Sequence, residues 1–404
     1  MTMLGPPAAA IDDPMVDTSE KIVDDMLAAV VPVLAGRTAD GEAQRRLPDY
    51  AASALVEAGA FQVQVPRSLG GLELNPLQAT RLVEEISKVD PSAGFLVGNM
   101  NSQAFAMMAL SAEGVEEVFA DPKAVICGGA FPPARAVEAP GGYLVSGRAP
   151  FASGAHIATW VTAYAMLFEG DQPKMTPHGP VMLLAAMARE DCELVDNWNV
   201  LGLKGTGSHD YAYHEVFVPH NRVAPLTLGE PNRYFSGPLY RSRLWSGHPA
   251  FAATALGVAR ASLDEVTSLV RTKKGNFMME VLGDSPSIQR QLGKAEARYR
   301  ASRAYLYDTV DQLWQHQLAG EFVNTEHGIS MQLAACYVIE TAREISEIVH
   351  EIAGSTGFQE SSPLEKYFRD AHTISQHAFA SQTRYESAVK AMLGKQNDWL
   401  FFQL

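Results

Sequence analysis

The hydrophobic period of this chain changes twice, and that change constrains the fold more than any other feature of the sequence. From 17 to 122, apolar residues recur at spacings of three and four, which indicates amphipathic helices. From 123 to 231, the apolar runs are short and bounded by Gly, Pro and Asp, which indicates strands. From 232 to 404, the helical period returns in long alanine-rich segments. The order predicts an α+β fold that is mainly α: an N-terminal helical domain, a middle antiparallel β-domain and a C-terminal four-helix bundle.

Composition places the chain among globular proteins and narrows its partners. Hydrophobic residues make up 47% of the sequence, and 46 acidic against 32 basic residues give a formal net charge of −14. Such a surface repels phosphate backbones and anionic lipid, so we expect neither nucleic acid nor a membrane as a partner.

Cysteine usage and the N-terminal segment predict a cytoplasmic protein. Cys127, Cys192 and Cys336 form no CxxC pair, which fits a reducing compartment. The N-terminus has no basic stretch followed by an apolar core, so we expect no export signal. Residues 1–16 are predicted to be disordered.

Three segments, in order, resemble the acyl-CoA dehydrogenases. The first is LPDYAASALVEAGAFQVQVPRSLGGLELNPLQATRLVEEISKVDPSAGF, with a helix ending in AG, a P…LGG turn and an EE(I/L)…D.S pattern typical of the N-terminal domain. The second, WNVLGLKGTGSHDYAYHEVFVP, resembles the end of the family's β-domain. The third, EIAGSTGFQESSPLEKYFRDAHTISQH, resembles its flavin-contacting loop and the following helix with RDA. The resemblance implies the acyl-CoA dehydrogenase fold.

The catalytic glutamate of those dehydrogenases has no counterpart in this chain. Most members carry it at a fixed interval after RDA, where this chain has Ala378, preceded by His377. Others carry it at the start of the bundle, where Ser246 is nearest. Alanine cannot accept the proton that a general base removes. An acyl-CoA dehydrogenase or flavin oxidase with an atypical base, His377 or His248, remains the alternative function.

A fourth segment resembles a different branch of the same fold. GGYLVSGRAPFASGAHIATW is similar to the FASG segment of two-component flavin-dependent monooxygenases, which include dibenzothiophene monooxygenase and the oxygenase component of hydroxyphenylacetate hydroxylase. That resemblance implies that a separate NAD(P)H-flavin reductase supplies reduced flavin, which reacts with O2 to give a C4a-hydroperoxide. A small aromatic or heteroaromatic substrate is then hydroxylated at carbon or oxygenated at sulfur or nitrogen.

The resemblance also implies which residues carry the chemistry. Ser153 is expected to hold the flavin N5–H, although a serine in a turn also satisfies local backbone. His377 is expected to act as an acid or base, because histidine titrates near neutral pH. His248 is a second candidate, and Asn101 replaces a histidine that relatives carry and can only form hydrogen bonds.

The expected cofactor contacts fall into two groups. The turn residues near the flavin ring are Phe151, Ser153, Gly154, Thr206 and Ser208, with His156 and His209 beside them. The cation and loop donors for the phosphates are Arg271, Gly354, Ser355 and Thr356, and Arg369 is a further expected cofactor contact. FMN is favoured and FAD is allowed. The family resemblance implies a homotetramer, although a dimer stays open.

Overall fold

A computed structural model describes residues 14–177, 179–226, 232–275 and 279–402. Segment 1–16 was expected to be disordered. Its residues 1–13 lie outside the described residues, and residues 14–16 belong to the first helix. No helix within the described ranges is long and apolar enough to cross a membrane.

From residue 14 onward, six helices form the N-terminal region, and capping residues set the boundaries of several of them. They are α1 (Pro14–Leu34), α2 (Thr38–Gln44), α3 (Asp49–Glu57), α4 (Pro76–Val89), α5 (Pro91–Ala106) and α6 (Ala112–Val118). The Asn75 side chain caps α4, and the Asp90 carboxylate caps α5 by accepting from two backbone N–H groups. A proline begins each of these two helices, where its missing N–H costs nothing.

The middle region is a twisted sheet with one parallel pair. Its strands are β1 (Ile126–Ala139), β2 (Gly142–Ala152), β3 (Trp160–Glu169), β4 (Gln172–Pro173), β7 (Met182–Ala188), β8 (Glu193–Val195), β9 (His209–Pro219) and β10 (Val223–Pro225); β5 (Met175–Thr176) and β6 (Gly179–Pro180) pair separately. The order is β10-β7-β3-β1-β2-β9-β8, with β4 beside β3. β1 and β3 run parallel, against the fully antiparallel sheet that the sequence predicted. The segment between β2 and β3, which contains the FASG turn, reverses the chain and carries it across to the other side of β1.

Among its described residues, the C-terminal region contains three long α-helices and two short ones. They are α7 (His248–Thr272), α8 (Pro286–Leu318), α9 (Thr325–Ala353), α10 (Pro363–Ile374) and α11 (Thr383–Met392). The expected fourth helix of the bundle is therefore divided, with turns between 375 and 382. A 3-10 helix, Pro238–Gly247, leads into α7.

A buried carboxylate joins the N-terminal helices to the bundle. Glu84 of α4 has no exposed surface and accepts hydrogen bonds from the Tyr299 and Tyr307 hydroxyls at 2.8 and 2.6 Å. The Arg303 guanidinium pairs with it at 2.8 Å. Because every donor lies on α8, this cluster fixes α4 against α8 and so positions α5 between the sheet and α7.

Candidate functional site

Three buried hydroxyl groups form a chain where the sheet meets the helices. The Ser153 Oγ lies 2.8 Å from the Ser208 Oγ, which lies 2.7 Å from the Thr206 Oγ1. The Thr206 hydroxyl donates to the carbonyl oxygen of Leu203 at 2.8 Å. The structure thus brings together three residues that the sequence assigned to the flavin ring.

The Leu203 carbonyl oxygen, at one end of the hydroxyl chain, fixes the direction of the hydrogen bonds in it. A carbonyl oxygen can only accept, so the single hydroxyl hydrogen of Thr206 points to Leu203. Ser208 then donates to Thr206, and Ser153 donates to Ser208. A longer contact from Ser153 to the Phe151 carbonyl oxygen, at 3.5 Å, uses the same hydrogen. In either case the lone pairs of Ser153 are left to accept a hydrogen bond.

The backbone around the hydroxyl chain adopts conformations that are rare for residues with a side chain. Phe151 has a φ of 61° and Leu203 a φ of 52°. Such a residue costs about 1 to 3 kcal/mol and is found most often at functional sites, where the surroundings enforce it. The Gly154 N–H donates to the Thr206 carbonyl oxygen at 2.9 Å and ties the two strained turns together.

The space beside Gly154 is taken by α5. A Cβ at Gly154 would lie 2.5 Å from the Met100 Sδ and 3.3 Å from a methyl carbon of Leu96, and its φ is 76°. We expected this glycine to let the backbone approach a flavin, but the helix requires it. Phe151 is 67% exposed, and its ring meets the Trp198 ring edge-on at 6.2 Å.

His377 lies in a turn, not on a helix. α10 ends at Ile374, whose carbonyl oxygen accepts from the His377 N–H at 3.0 Å. His377 therefore lies beyond the end of the helix that carries Arg369. The neighbouring residue at the vacated glutamate position, Ala378, is exposed.

Three aromatic rings surround the His377 imidazole. It stacks on Phe251 with ring centroids 3.9 Å apart and an angle of 28° between the planes. The Phe95 and Phe379 rings meet it edge-on, at 5.7 and 5.3 Å. Although part of its surface is exposed, burial lowers the pKa of His377 to about 4. The imidazole is therefore neutral near neutral pH.

A backbone contact selects the tautomer of His377. The Phe379 N–H donates to the His377 Nδ1 at 3.3 Å. Because Nδ1 accepts, the hydrogen of the neutral ring lies on Nε2. His377 can therefore donate a hydrogen bond from Nε2.

The hydroxyl chain and His377 lie on either side of α5. Phe95 contacts the His377 ring, and the next residue, Leu96, packs beside Gly154. Leu203 joins the same two regions, since its N–H donates to the buried Asp370 carboxylate of α10 at 2.6 Å. We call this region, between the Ser153 turn and His377, the seam.

The RDA segment holds the seam together instead of contacting a cofactor. The Arg369 guanidinium pairs with Glu42 at 2.8 Å, with Glu365 on its own helix, and with the Leu201 carbonyl oxygen at 2.7 Å. These partners occupy its donors and leave it a structural residue, contrary to the cofactor contact that we expected.

Asp370 anchors the same loop from inside the protein. It has no exposed surface and pairs with the buried Lys366 ammonium. Burial lowers the pKa of Lys366, but Asp370 and the nearby Asp90 outweigh it, so the net pKa is raised and the lysine stays charged.

The side-chain amide of Asn101 is hydrogen-bonded to backbone groups. Its amide nitrogen donates to the Ala60 and Val97 carbonyl oxygens at 2.8 and 2.7 Å, and its oxygen accepts from the Gln64 N–H at 3.3 Å. Both amide hydrogens are used, so Asn101 shapes the protein and has no free donor for catalysis.

His248 belongs to the core. It has no exposed surface, stacks on Phe379 at 5.0 Å and contacts the Phe401 and Trp245 rings at 4.9 and 4.8 Å. Neither ring nitrogen has a hydrogen-bond partner among the described residues. Burial lowers the pKa of His248 to about 3, so the acid or base role that we expected does not fit its position.

His156 and His209 support the turns. The His209 Nδ1 accepts from the backbone N–H groups of Asn197 and Trp198, both at 3.1 Å. The His156 ring meets it edge-on at 4.9 Å, and burial followed by the proximity of His209 lowers the pKa of His156 to about 4.

The residues expected at the phosphates lie at the other end of α7. Arg271 is exposed, as are Gly354 and Ser355. Lys273 connects the two segments, since its ammonium donates to the Ala353 carbonyl oxygen and to the Thr356 hydroxyl at 2.6 and 2.7 Å. Lys273 thus joins the end of α7 to the 354–356 loop, apart from the seam.

Sequence reasoning missed several residues of the site. Phe95, Phe251 and Phe379 come from three distant segments, and an apolar aromatic residue in a helix is normally core. Lys273 differs from its neighbours only by its contacts. No local motif distinguishes these residues.

Comparison with known proteins identifies the family. The model of the acyl-CoA dehydrogenase N-terminal domain matches residues 17–118, and that of the C-terminal domain matches residues 250–382. An indole-3-acetate monooxygenase of Pseudomonas putida is 30% identical over 89% of this chain and 90% of the relative. The oxygenase subunit HsaA of a flavin-dependent monooxygenase from Rhodococcus jostii is 28% identical over 87% of this chain and 93% of the relative. The structure of XiaF from Streptomyces, in complex with FADH2 and glycerol, matches with a TM-score of 0.89 at 22% identity, over 95% of this chain and 98% of that one.

The chain belongs to the acyl-CoA dehydrogenase family, in its branch of flavin-dependent monooxygenases. It is the oxygenase component of such an enzyme, and its relatives favour this function over acyl-CoA dehydrogenation.

Proposed function

We propose that the seam binds reduced flavin and that this chain oxygenates a small aromatic or heteroaromatic substrate beside His377. The observation that carries the proposal is the Ser153 oxygen, which the hydroxyl chain leaves as an acceptor close to α5. Reduced flavin, when bound, supplies the electrons that activate dioxygen, and its N5–H is a donor that this acceptor fits. The other contacts of the seam support the same arrangement.

His377 is proposed to contact the reacting groups. Its Nε2–H points away from the Phe379 backbone contact, and the three rings around it suit an aromatic substrate. A neutral imidazole with one available N–H stabilises a developing negative charge on oxygen by hydrogen bonding.

The flavin phosphates are proposed to lie near Arg271, Lys273 and the 354–357 loop of another subunit. Helix α7 runs from His248 to Thr272, so its two ends are about 35 Å apart at 1.5 Å per residue. This exceeds the distance between the ring and the phosphates of either flavin. A homo-oligomer, which we propose to be a tetramer, supplies the cations from a partner subunit.

FAD is proposed as the preferred flavin, in place of the FMN that we favoured from the sequence. Support comes from XiaF, whose structure over nearly the same length holds FADH2. A separate NAD(P)H-dependent reductase is proposed to supply it in the cytoplasm, because this chain is an oxygenase component and carries no GxGxxG motif after a strand.

The test compares the oxidation of free and protein-bound reduced flavin. Anaerobic FADH2 or FMNH2 is mixed with the protein, oxygen is admitted, and hydrogen peroxide release is followed. We expect the protein to slow peroxide release, more strongly with FADH2, and an aromatic panel to divert oxygen into product. Unchanged peroxide release, or reduction of the protein's oxidised flavin by an acyl-CoA, would contradict the proposal.

A further inference from the structure

Both backbone polar groups of Phe379 are hydrogen-bonded to other residues. The Phe379 N–H donates to the His377 Nδ1 at 3.3 Å, and the Phe379 carbonyl oxygen accepts from the Gln332 amide nitrogen at 2.6 Å. A third bond closes the turn, since the Ala380 N–H donates to the His377 carbonyl oxygen at 3.1 Å. Because His377 lies beyond the end of α10, these bonds fix the backbone that carries it.

Gln332 lies on α9 and has no exposed surface. Its side-chain oxygen accepts from the Trp399 indole N–H at 2.9 Å. Its amide nitrogen donates to Phe379 and also lies 3.4 Å from the Cys336 Sγ. Both polar ends of this buried amide therefore have partners.

The partners of Gln332 fix the orientation of its amide. An indole N–H can only donate and a carbonyl oxygen can only accept, so turning the amide end for end would lose both hydrogen bonds. Its oxygen must therefore face Trp399, and its nitrogen must face Phe379. The hydrogen bonds run in one direction, from Trp399 through Gln332 to the Phe379 carbonyl oxygen.

Contacts with α11 hold Trp399 in place. Its backbone N–H donates to the Asn397 side-chain oxygen at 3.1 Å, and the Asn397 amide nitrogen donates to the Ser387 carbonyl oxygen of α11 at 2.7 Å. The Arg384 guanidinium lies over the Trp399 ring, 4.1 Å from its centroid. The indole N–H is thus directed at Gln332 by a segment that is itself attached to α11.

The ring of Phe379 packs against the same C-terminal segment. The Phe401 and Trp399 rings meet it at centroid distances of 4.8 and 5.8 Å, and they stack on each other at 5.0 Å. The buried His248 ring stacks on Phe379 at 5.0 Å. Residues 399–401 therefore hold Phe379 by its ring as well as through Gln332.

We propose that Gln332 and Trp399 are positioning residues for His377. They fix the Phe379 backbone, whose N–H then occupies the His377 Nδ1 and keeps the ring hydrogen on Nε2. The proposal rests on the proposed function for the part that His377 plays in the reaction. The state of the imidazole itself can be measured without flavin or substrate.

The availability of the His377 lone pair is measured by carbethoxylation with diethyl pyrocarbonate, which acylates an imidazole nitrogen that has a free lone pair. The full chain is treated near neutral pH, and each modified histidine is quantified by peptide mass spectrometry. In the unmodified protein His377 should react slowly, because Phe379 occupies Nδ1 and Nε2 carries the hydrogen. The exposed His214 is the internal standard.

A matched pair of variants isolates Gln332. Gln332→Met keeps the length of the side chain and removes both polar ends of the amide. We expect His377 to react about fivefold faster relative to His214, the factor that corresponds to the loss of one hydrogen bond. Gln317→Met removes another buried glutamine amide, on α8, and should leave this ratio unchanged.

Trp399→Phe is a milder test of the same contacts. It keeps an aromatic ring and removes the N–H that orients Gln332. The increase at His377 should be smaller, about twofold, because the amide can still reach the Phe379 carbonyl oxygen. This variant tests the proposal even if Gln332→Met does not fold.

His209 distinguishes local repositioning from a general loosening of the protein. It is 1% exposed, and its Nδ1 accepts from two backbone N–H groups, so it should stay unreactive in both variants. An increase at His209 as large as that at His377 would refute a specific role for Gln332. Unchanged reactivity of His377 in the folded variants, or an equal increase in Gln317→Met, would refute it as well.

The link to the reaction is tested separately, by product formation with saturating reduced flavin. Gln332→Met should lower product formation about fivefold. In a His377→Ala background it should cause no further loss, because two residues that act through one group are not additive. A further loss there would refute the positioning role. A protein that shows the expected carbethoxylation but forms no product keeps this role and loses the proposed function.

Discussion

The His377 imidazole stacks on the Phe251 ring at a centroid distance of 3.9 Å, while its Nδ1 accepts from the Phe379 backbone N–H. Together these contacts hold a neutral ring with its hydrogen on Nε2. An acid or base at this position was expected from the sequence, but the structure favours a hydrogen-bond donor.

The role of His377 can be tested by two substitutions. His377→Ala should lower product formation roughly a hundredfold, whereas His377→Gln should retain much more activity because its amide N–H can reach the position of Nε2. Steady-state product formation with saturating reduced flavin measures both. Equal losses in the two variants would indicate proton transfer instead of donation, and His372→Gln, on α10, serves as the control.

The hydroxyl chain predicts graded uncoupling. Ser153→Ala should leave flavin affinity largely intact and raise the hydrogen peroxide released per oxygen consumed, because the acceptor is lost. Ser208→Ala should produce a smaller increase, since Ser153 then loses the partner that orients its hydrogen. Ser146→Ala, on the strand that precedes Ser153, should leave coupling unchanged. Normal coupling in Ser153→Ala would remove this residue from the flavin site.

Asp370 is expected to be needed for both stability and flavin binding. Asp370→Asn removes the carboxylate that contacts the buried Lys366 ammonium and should lower the free energy of unfolding by about 3 to 5 kcal/mol. The loop at Leu203 should also become less ordered, because its hydrogen bond to Asp370 is weakened. Flavin binding should weaken as a result. Urea denaturation and flavin titration measure the two effects. Asp308→Asn, at an exposed site, is the control, and a loss below about 1 kcal/mol for Asp370→Asn would contradict the anchoring role.

The free energy of unfolding should decrease as the pH is lowered, because of His248. Its folded pKa, about 3, lies below the value of about 6.5 in an unfolded chain, so the unfolded state binds more protons as the pH falls. Titration of His248 alone should lower the free energy of unfolding by about 2 kcal/mol between about pH 7 and about pH 5. His248→Phe keeps an aromatic ring and removes the titration. Urea denaturation at the two pH values should show a smaller loss in the variant, and an equal loss would disprove the assignment.

The sequence by itself determined the order of the three regions. Helical and strand periods are local properties, since they depend on which neighbouring side chains must face the core. The FASG and GTGSHD motifs could also be identified in the sequence, because the residues of each motif are consecutive. The structure confirms the middle strands and the long helices α7, α8 and α9.

Only the tertiary structure decided what those residues contact. Arg369 and Asn101 have the side chains of a cofactor ligand and a catalytic amide, yet Glu42 and backbone carbonyls occupy them. The turn that releases His377 from α10 and the rings around it depend on packing between segments far apart in the chain. Long-range contacts of this kind leave no periodic signal in the sequence, because the partners are chosen by the fold as a whole.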